Sequence, residues 1–332
     1  PRALWDKGTK FASVYIGGSY IHVLDLRIRN AGDVSGVVLE NFSHHNVIAG
    51  IEIDAASTGI DLGGEYQKIL SNYFHDIGSK GGSSGIGINM VGKHFEIAWN
   101  RFVNCVVNPG TASEDGNAIE FFNYRSDVGY AYVSEDISIH HNFVDRCLLF
   151  MESYGIVKGM VIAYNTYLNG PVGALEFHFD RDESYTVPVG YQASYDVRIE
   201  NNTFVPKQPA NPGGWGVIGM LVNTQKPSLN ADPSKSSITL RNNIIVTNYK
   251  VTHENVMGSK FVHDHNIYWL TGNGKFEGSG NANLGTSDRI VDPQFVRFTK
   301  TGELIDATTL DLRLKATSPA VNTGAPAGFA TD

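Results

Sequence analysis

One motif recurs through this chain: two residues, the second an asparagine, set between short apolar stretches. It reads Leu70-Ser71-Asn72-Tyr73-Phe74, Ala98-Trp99-Asn100-Arg101-Phe102, His140-His141-Asn142-Phe143-Val144 and Ala163-Tyr164-Asn165-Thr166-Tyr167. Three later copies are Glu200-Asn201-Asn202-Thr203-Phe204, Arg241-Asn242-Asn243-Ile244-Ile245 and Asp264-His265-Asn266-Ile267-Tyr268. The asparagines stand 28, 42, 23, 37, 41 and 23 residues apart. The short intervals match one turn of a solenoid, and the longer ones a turn carrying an inserted loop. Asparagine suits the bend, because it tolerates a left-handed backbone and its amide can bond the same amide one turn above and below. A column of stacked asparagines, themselves in the left-handed region, is therefore expected.

Before each asparagine lies a short alternating strand, such as Ile137-Ser138-Ile139 or Val197-Arg198-Ile199. Alternation puts apolar side chains inside the coil and polar ones outside. Ile21-His22-Val23-Leu24-Asp25-Leu26 and Val47-Ile48-Ala49-Gly50-Ile51 keep the alternation without the asparagine. The predicted fold is all-β: a right-handed parallel β-helix of about nine coils with long loops on one face. It forms one domain over 1–332, closing in a C-terminal end segment from about residue 289. A chain of 332 residues exceeds the usual globular domain, but each solenoid repeat needs only its neighbours to bury its apolar face. Leucine-rich repeats would need leucines at fixed offsets, and propeller blades would need tight hairpins; both are missing. With 42% hydrophobic and 18% charged residues the chain is too apolar for disorder, and its 36 glycines argue against helices.

No apolar run approaches the roughly 18 residues of a membrane span. The net charge of -8, with no lysine/arginine stripe, argues against a nucleic-acid partner. It would also repel a polyanionic substrate unless the cleft were locally basic or held a metal ion. The chain opens at Pro1-Arg2-Ala3 with no visible signal peptide, a start that suits a mature secreted protein and a truncated one equally.

A second series of strands carries the chemistry. Gly59-Ile60-Asp61-Leu62, Ile86-Gly87-Ile88-Asn89-Met90, Ala118-Ile119-Glu120-Phe121, Phe150-Met151-Glu152-Ser153 and Ala174-Leu175-Glu176-Phe177-His178 align by their apolar flanks. One outward position per coil then reads Asp61, Asn89, Glu120, Glu152, Glu176, and Ile218-Gly219-Met220-Leu221 ends the series. Neighbouring strands lie about 4.7–4.9 Å apart, and stacked like charges are destabilising, so the column asks for a use. Adjacent carboxylates raise one another's pKa, so that one holds a proton while its neighbour is ionised. That is the equipment of glycoside hydrolysis, with Glu152 central and Glu120 or Glu176 as its acid/base partner. Such a ladder could also hold Ca²⁺, a taker of oxygen ligands; a hydrolytic pair needs no metal or other cofactor. The bland alternative is solvated glutamates paired with Arg125, Lys158 or Arg181.

Insertions at 104–117, 124–135, 180–196 and 206–216 border these coils. They bring Tyr124, Tyr130, Tyr132, Tyr185, Tyr191, Tyr195 and Trp215, rings suited to stacking on sugars or to packing the loops onto the rod. Arg125, Tyr154, His178, Asp180, Arg181 and Trp215 join Asp61 and Asn89 as candidate substrate contacts, with Asp115 and Asp182 nearby. Cys105 and Cys147 each lie five residues after an asparagine of the series and should stack on consecutive coils with Ile77, as buried thiols or as a disulfide. His44-His45, His140-His141 and His263-Asp264-His265 suggest metal ligands but fall on the solvated side of their strands. Gly81-Gly82-Ser83-Ser84-Gly85 is loop chemistry, with no helix after it to make a phosphate cradle.

The asparagine series and the tail together resemble the secreted right-handed parallel β-helix (pectin-lyase-like) superfamily of carbohydrate-active proteins. In the tail the resemblance rests on Asp292-Pro293-Gln294-Phe295, Leu310-Asp311-Leu312-Arg313-Leu314 and Ser318-Pro319-Ala320-Val321-Asn322-Thr323-Gly324. That group includes pectate lyases, chondroitinase-B-like lyases, several glycoside hydrolases and phage tailspikes. The resemblance implies an extracellular, bacterial location and a polysaccharide or oligosaccharide partner. It leaves three functional classes. The first is a glycoside hydrolase on the glutamates. The second is a Ca²⁺-dependent lyase acting on a uronate polymer, for which Arg125 or Arg181, five residues past Glu120 and Glu176, would abstract the proton. The third is a non-catalytic adhesin or tailspike.

Overall fold

A computed structural model describes residues 12–29, 31–79, 84–109, 115–122, 133–171, 173–179, 194–207, 216–221, 232–253, 260–276, 284–301 and 304–326. The chain winds through three long parallel sheets in turn, leaving one strand in each per coil. Sheet 1 holds nine strands from Ala12–Ile16 to Thr252–His253, and sheet 2 nine from His22–Leu24 to Phe261–Asp264. Sheet 3 holds ten, from Arg27–Arg29 to Arg289–Ile290. This is a right-handed parallel β-helix, the hand that parallel crossovers take. Among the described residues the only helical element is the 3₁₀ turn Pro233–Lys235. None of their helices is long and apolar enough to cross a membrane.

The asparagine column runs between sheets 2 and 3 from the third coil onward. Side-chain amides donate along the series Asn72→Asn100→Asn142→Asn165→Asn202→Asn243→Asn266 at 2.9–3.0 Å. Each Oδ1 also accepts the backbone N–H of the preceding asparagine, as Asn142 does from Asn100 at 2.9 Å. Each Nδ2 reaches a strand carbonyl too, that of Ile97 for Asn142 at 2.8 Å. These amides are buried with their polar atoms engaged, the only condition under which burial does not cost about 1–3 kcal/mol per group. The sequence-based expectation misplaced the bend. The left-handed residue is the one before each asparagine: Ser71, Trp99, His141, Tyr164, Asn201, Asn242 and His265 have φ of 55–60°. The ladder asparagine is the residue that turns inward.

Inside, a largely aromatic column on sheet 3 includes Phe74 and Phe102, stacked at 4.7 Å, and after Val144 takes in Tyr167 and Phe204, then Ile245 and Tyr268. It explains two glycines of sheet 1. A Cβ at Gly59 would come within 2.7 Å of the Phe74 ring, and one at Gly87 within 2.6 Å of Phe102. Ile77, Cys105 and Cys147 are all buried at the next corner, and both cysteines are free thiols, with Cys147 Sγ 3.4 Å from the Cys105 amide.

The last coil ends one strand later than the end segment was expected to begin. Arg289–Ile290 is still a strand of sheet 3, and Asp288 caps the ladder by accepting from Asn266 Nδ2 at 3.0 Å. Beyond it the chain forms two antiparallel pairs, Phe295–Arg297 with Asp311–Leu314 and Lys300–Thr301 with Leu304–Ile305. They cover Leu168, Val205 and Val246 on the outer side of sheet 3. Asn169 pins this cover with two hydrogen bonds to Ile305, at 3.0 and 2.7 Å. The histidines divide. His44-His45 and His140-His141 sit at corners, with stacks running Tyr20–His45–Tyr66–His94 and Trp99–His141–Tyr164. His263 does not face solvent as expected: it is buried and pairs with Asp288 at 2.6 Å.

Candidate active site

Sheet 1 sets Asp61, Asn89, Glu120, Glu152, Glu176 and Gly219 as successive register partners. Val38 precedes the column. Their strand neighbours Ile60, Ile88, Ile119, Met151 and Leu175 are buried, which forces the alternate position outward. Outward is not the same as solvated. Asp61, Asn89, Glu120 and Glu152 are partly exposed, whereas Glu176 is only 5% exposed and His178 8%.

Asn117 joins the first two glutamates. Its Nδ2 donates to Glu120 Oε2 at 3.2 Å and to Glu152 Oε2 at 2.7 Å, so those two oxygens are at most 5.9 Å apart. On the other side His178 Nε2 lies 2.8 Å from Glu152 Oε1 and 3.8 Å from Glu176 Oε2. The Tyr154 ring packs on that imidazole at 4.4 Å. Upstream, Asn89 Nδ2 donates to Asp61 Oδ1 at 3.2 Å, and Ser35 Oγ donates to its other oxygen. Lys158, weighed as a partner for the glutamates, instead pairs with Glu135 at 3.2 Å, as does Lys93.

The electrostatics raise three acids of the site. Burial, then the Glu152 charge, pushes Glu120 from 4.5 up to about 8, against the opposing donor Asn117 and with a further push from Asp115. Asp115 is itself raised by burial and by Glu152, while the Gly116 N–H opposes. Burial raises Asp61 as well, against its donors Ser35 and Asn89. Glu152 receives the shorter bond from Asn117 and a second contact from His178; Glu120 receives only the longer one from Asn117 among these bonds. Burial and the neighbouring Glu152 charge therefore keep the proton on Glu120 near neutral pH.

Asn117 escaped the sequence reading. It occupies a register position held by Leu149 in the next coil but by Thr58 two coils before, so the column gave no clear signal of its role. Arg125, Asp180, Arg181, Asp182 and Trp215 lie outside the described residues, as do Tyr124, Tyr130, Tyr132, Tyr185 and Tyr191. Two insertions end earlier than expected, because Val133–His140 and Ser194–Glu200, with Tyr195 among the latter, are already strands of sheet 2.

Two clusters could hold a metal ion among the described residues: Glu52 with Asp54 and His75, and Glu152 with Glu176 and His178, each with donor atoms within 4.8 Å of one another. In the first, Arg27 lies 2.6 Å from Glu52 and Arg29 lies 3.2 Å from Asp54, so cations already balance the acids. The second does not fit calcium. That ion takes six to eight oxygens, and here an imidazole nitrogen stands at the two carboxylates.

No protein-family model matches this chain, and no curated protein matches it. Solved structures do resemble it. The tailspike protein of Escherichia coli bacteriophage HK620 in complex with a pentasaccharide aligns at 12% identity with a TM-score of 0.36, over 81% of this chain and 56% of the tailspike. A single mutant of that tailspike, also with pentasaccharide, aligns at 9% identity and TM-score 0.35, over 83% and 69% of the two chains. The chain thus spans little more than half of the first tailspike.

Proposed function

We propose that this chain binds a polysaccharide or oligosaccharide along sheet 1 and hydrolyses it at the Glu120–Glu152 pair, outside the cell. The observation that carries the reading is the bridge by Asn117, which holds two adjacent-coil carboxyls within 5.9 Å, with Glu120 pushed up to about 8. Retaining glycosidases place their carboxyls about 5–5.5 Å apart, and inverting ones about 6.5–9.5 Å. The spacing here favours retention. Protonated Glu120 gives its proton to the glycosidic oxygen as the Glu152 carboxylate attacks the anomeric carbon. Glu120, then ionised, takes a proton from the water that releases the sugar from Glu152. Asn117 holds both groups in place, and His178 orients the second oxygen of Glu152. Glu176, buried beyond His178, supports the pair rather than flanking the bond. The uronate-lyase alternative finds no lysine or arginine among the described positions of the column itself.

The test is incubation of wild-type protein and Glu152→Gln with bacterial and plant polysaccharides, followed by mass spectrometry and NMR of the products. Saturated oligosaccharides whose first-formed anomer is retained, absent from the folded variant, are expected. Turnover by Glu152→Gln at the wild-type rate would overturn the assignment. An unsaturated, ultraviolet-absorbing product would establish elimination, and binding without any product a glycan-binding role.

A further inference from the structure

From Glu152, Glu176 and His178 we infer a binding site for a divalent transition ion of the zinc class, whose occupancy switches the glutamate pair off. The binding half of this inference is independent of the hydrolase reading; the inhibitory half rests on it.

The donors are one imidazole nitrogen and two carboxylate oxygens, the mixture that zinc accepts and calcium does not. Zinc bonds of about 2.0–2.2 Å put neighbouring donors of a tetrahedral site roughly 3.3 Å apart. The present separations bracket that value, at 2.8 Å from His178 to Glu152 and 3.8 Å from His178 to Glu176, with all three donors within 4.8 Å. Modest side-chain shifts therefore admit the ion.

The scaffold is rigid where the ligands attach. Glu176 and His178 sit two residues apart on the strand Leu175–His178, and Glu152 is the register partner of Glu176 one coil away. Tyr154 braces the imidazole at 4.4 Å. Glu176 and His178 are buried, and the Glu152 side chain, 21% exposed, leaves the way in. The Glu52–Asp54–His75 cluster has the same donor types but is already balanced by Arg27 and Arg29, so it serves as an internal comparison. Once Glu152 ligates the ion, its lone pair is no longer available to an anomeric carbon, and glycan cleavage stops.

Calorimetric titration of the whole chain with ZnCl₂ and separately with CaCl₂ tests the site. One high-affinity zinc is expected, with calcium much weaker. His178→Asn should weaken zinc by more than the 10- to 100-fold that loss of an outer-shell partner costs. Glu176→Gln, a milder change that keeps the packing, should also weaken it, and His75→Gln should leave it unchanged. No zinc binding, undiminished binding in both site variants, loss in His75→Gln or a preference for calcium would each overturn the proposal. Turnover assayed with and without zinc separates the two readings. Zinc binding in a protein that never cleaves glycan removes the hydrolase and the inhibitory half and leaves the metal site. Glycan cleavage that zinc neither meets by binding nor inhibits removes the metal site and leaves the hydrolase.

Discussion

Replacing Glu120 by glutamine should make the rod more stable at alkaline pH and leave it unchanged in acid. In the folded chain Glu120 is raised from 4.5 to about 8, so the folded state keeps a proton that the unfolded chain gives up. The stability associated with that proton is full below pH 4.5 and is lost as pH climbs through 8. At 1.36 kcal/mol per pH unit of altered affinity, the loss is at most about 5 kcal/mol. Unfolding entropy of about 2.1 cal/mol/K per residue over 332 residues gives about 0.7 kcal/mol per kelvin, so the upper bound is about 7 °C in Tm. Glutamine copies the protonated acid, accepts the Asn117 hydrogen bond and does not titrate. Melting curves for wild type and Glu120→Gln from pH 4 to pH 10 should therefore coincide at the acid end, separate progressively from about pH 4.5, and reach their full gap above about pH 8, with the variant higher. A Tm difference that does not change across the range would refute the burial-and-repulsion account of Glu120.

Three further outcomes follow from the same geometry. The rate of glycan cleavage should fall about tenfold per pH unit above about 8, because only protonated Glu120 can assist the leaving group; a pH–rate profile flat to pH 10 would remove it as the acid. Asn142→Ala strands the Ile97 carbonyl and takes the Oδ1 acceptor from the backbone and side-chain N–H groups of Asn100 in a buried column. Its expected cost is about 3–6 kcal/mol, read as a lowered denaturation midpoint. Cys105 and Cys147, buried and unbonded, should resist a thiol reagent in the native protein and both react in denaturant without reductant. A disulfide would leave none to titrate.

Much of this architecture was readable from residue patterns, for reasons that particular positions make plain. Asn72, Asn100 and Asn142 recur because a buried amide satisfies itself only against its copies, so the ladder writes its period into the chain. The Asp61-to-Glu176 register was equally legible, since a slip of one residue would turn Ile60, Met151 or Leu175 out to water. Harder to read was what depends on three-dimensional crowding. The left-handed corner fell on Trp99 and His141 rather than on the asparagines after them, because many side chains fit a corner whose outer side is open. Glu176 points outward yet is buried, and alternation along a strand carries no information about what covers its face. Asn117 belongs to the site through side-chain reach across two coils, which no local pattern encodes. His263 looked solvated beside Asp264 and His265, but its partner Asp288 lies 25 residues on.

The most direct trial of the central claim is a crystal structure of Glu152→Gln with an oligosaccharide bound. A glycosidic oxygen within about 2.6–3.2 Å of Glu120, with its anomeric carbon about 3–3.5 Å from the residue-152 side chain, is the predicted arrangement. A sugar seated on sheet 2 or sheet 3, or lying along sheet 1 with no glycosidic bond near Glu120, would contradict it.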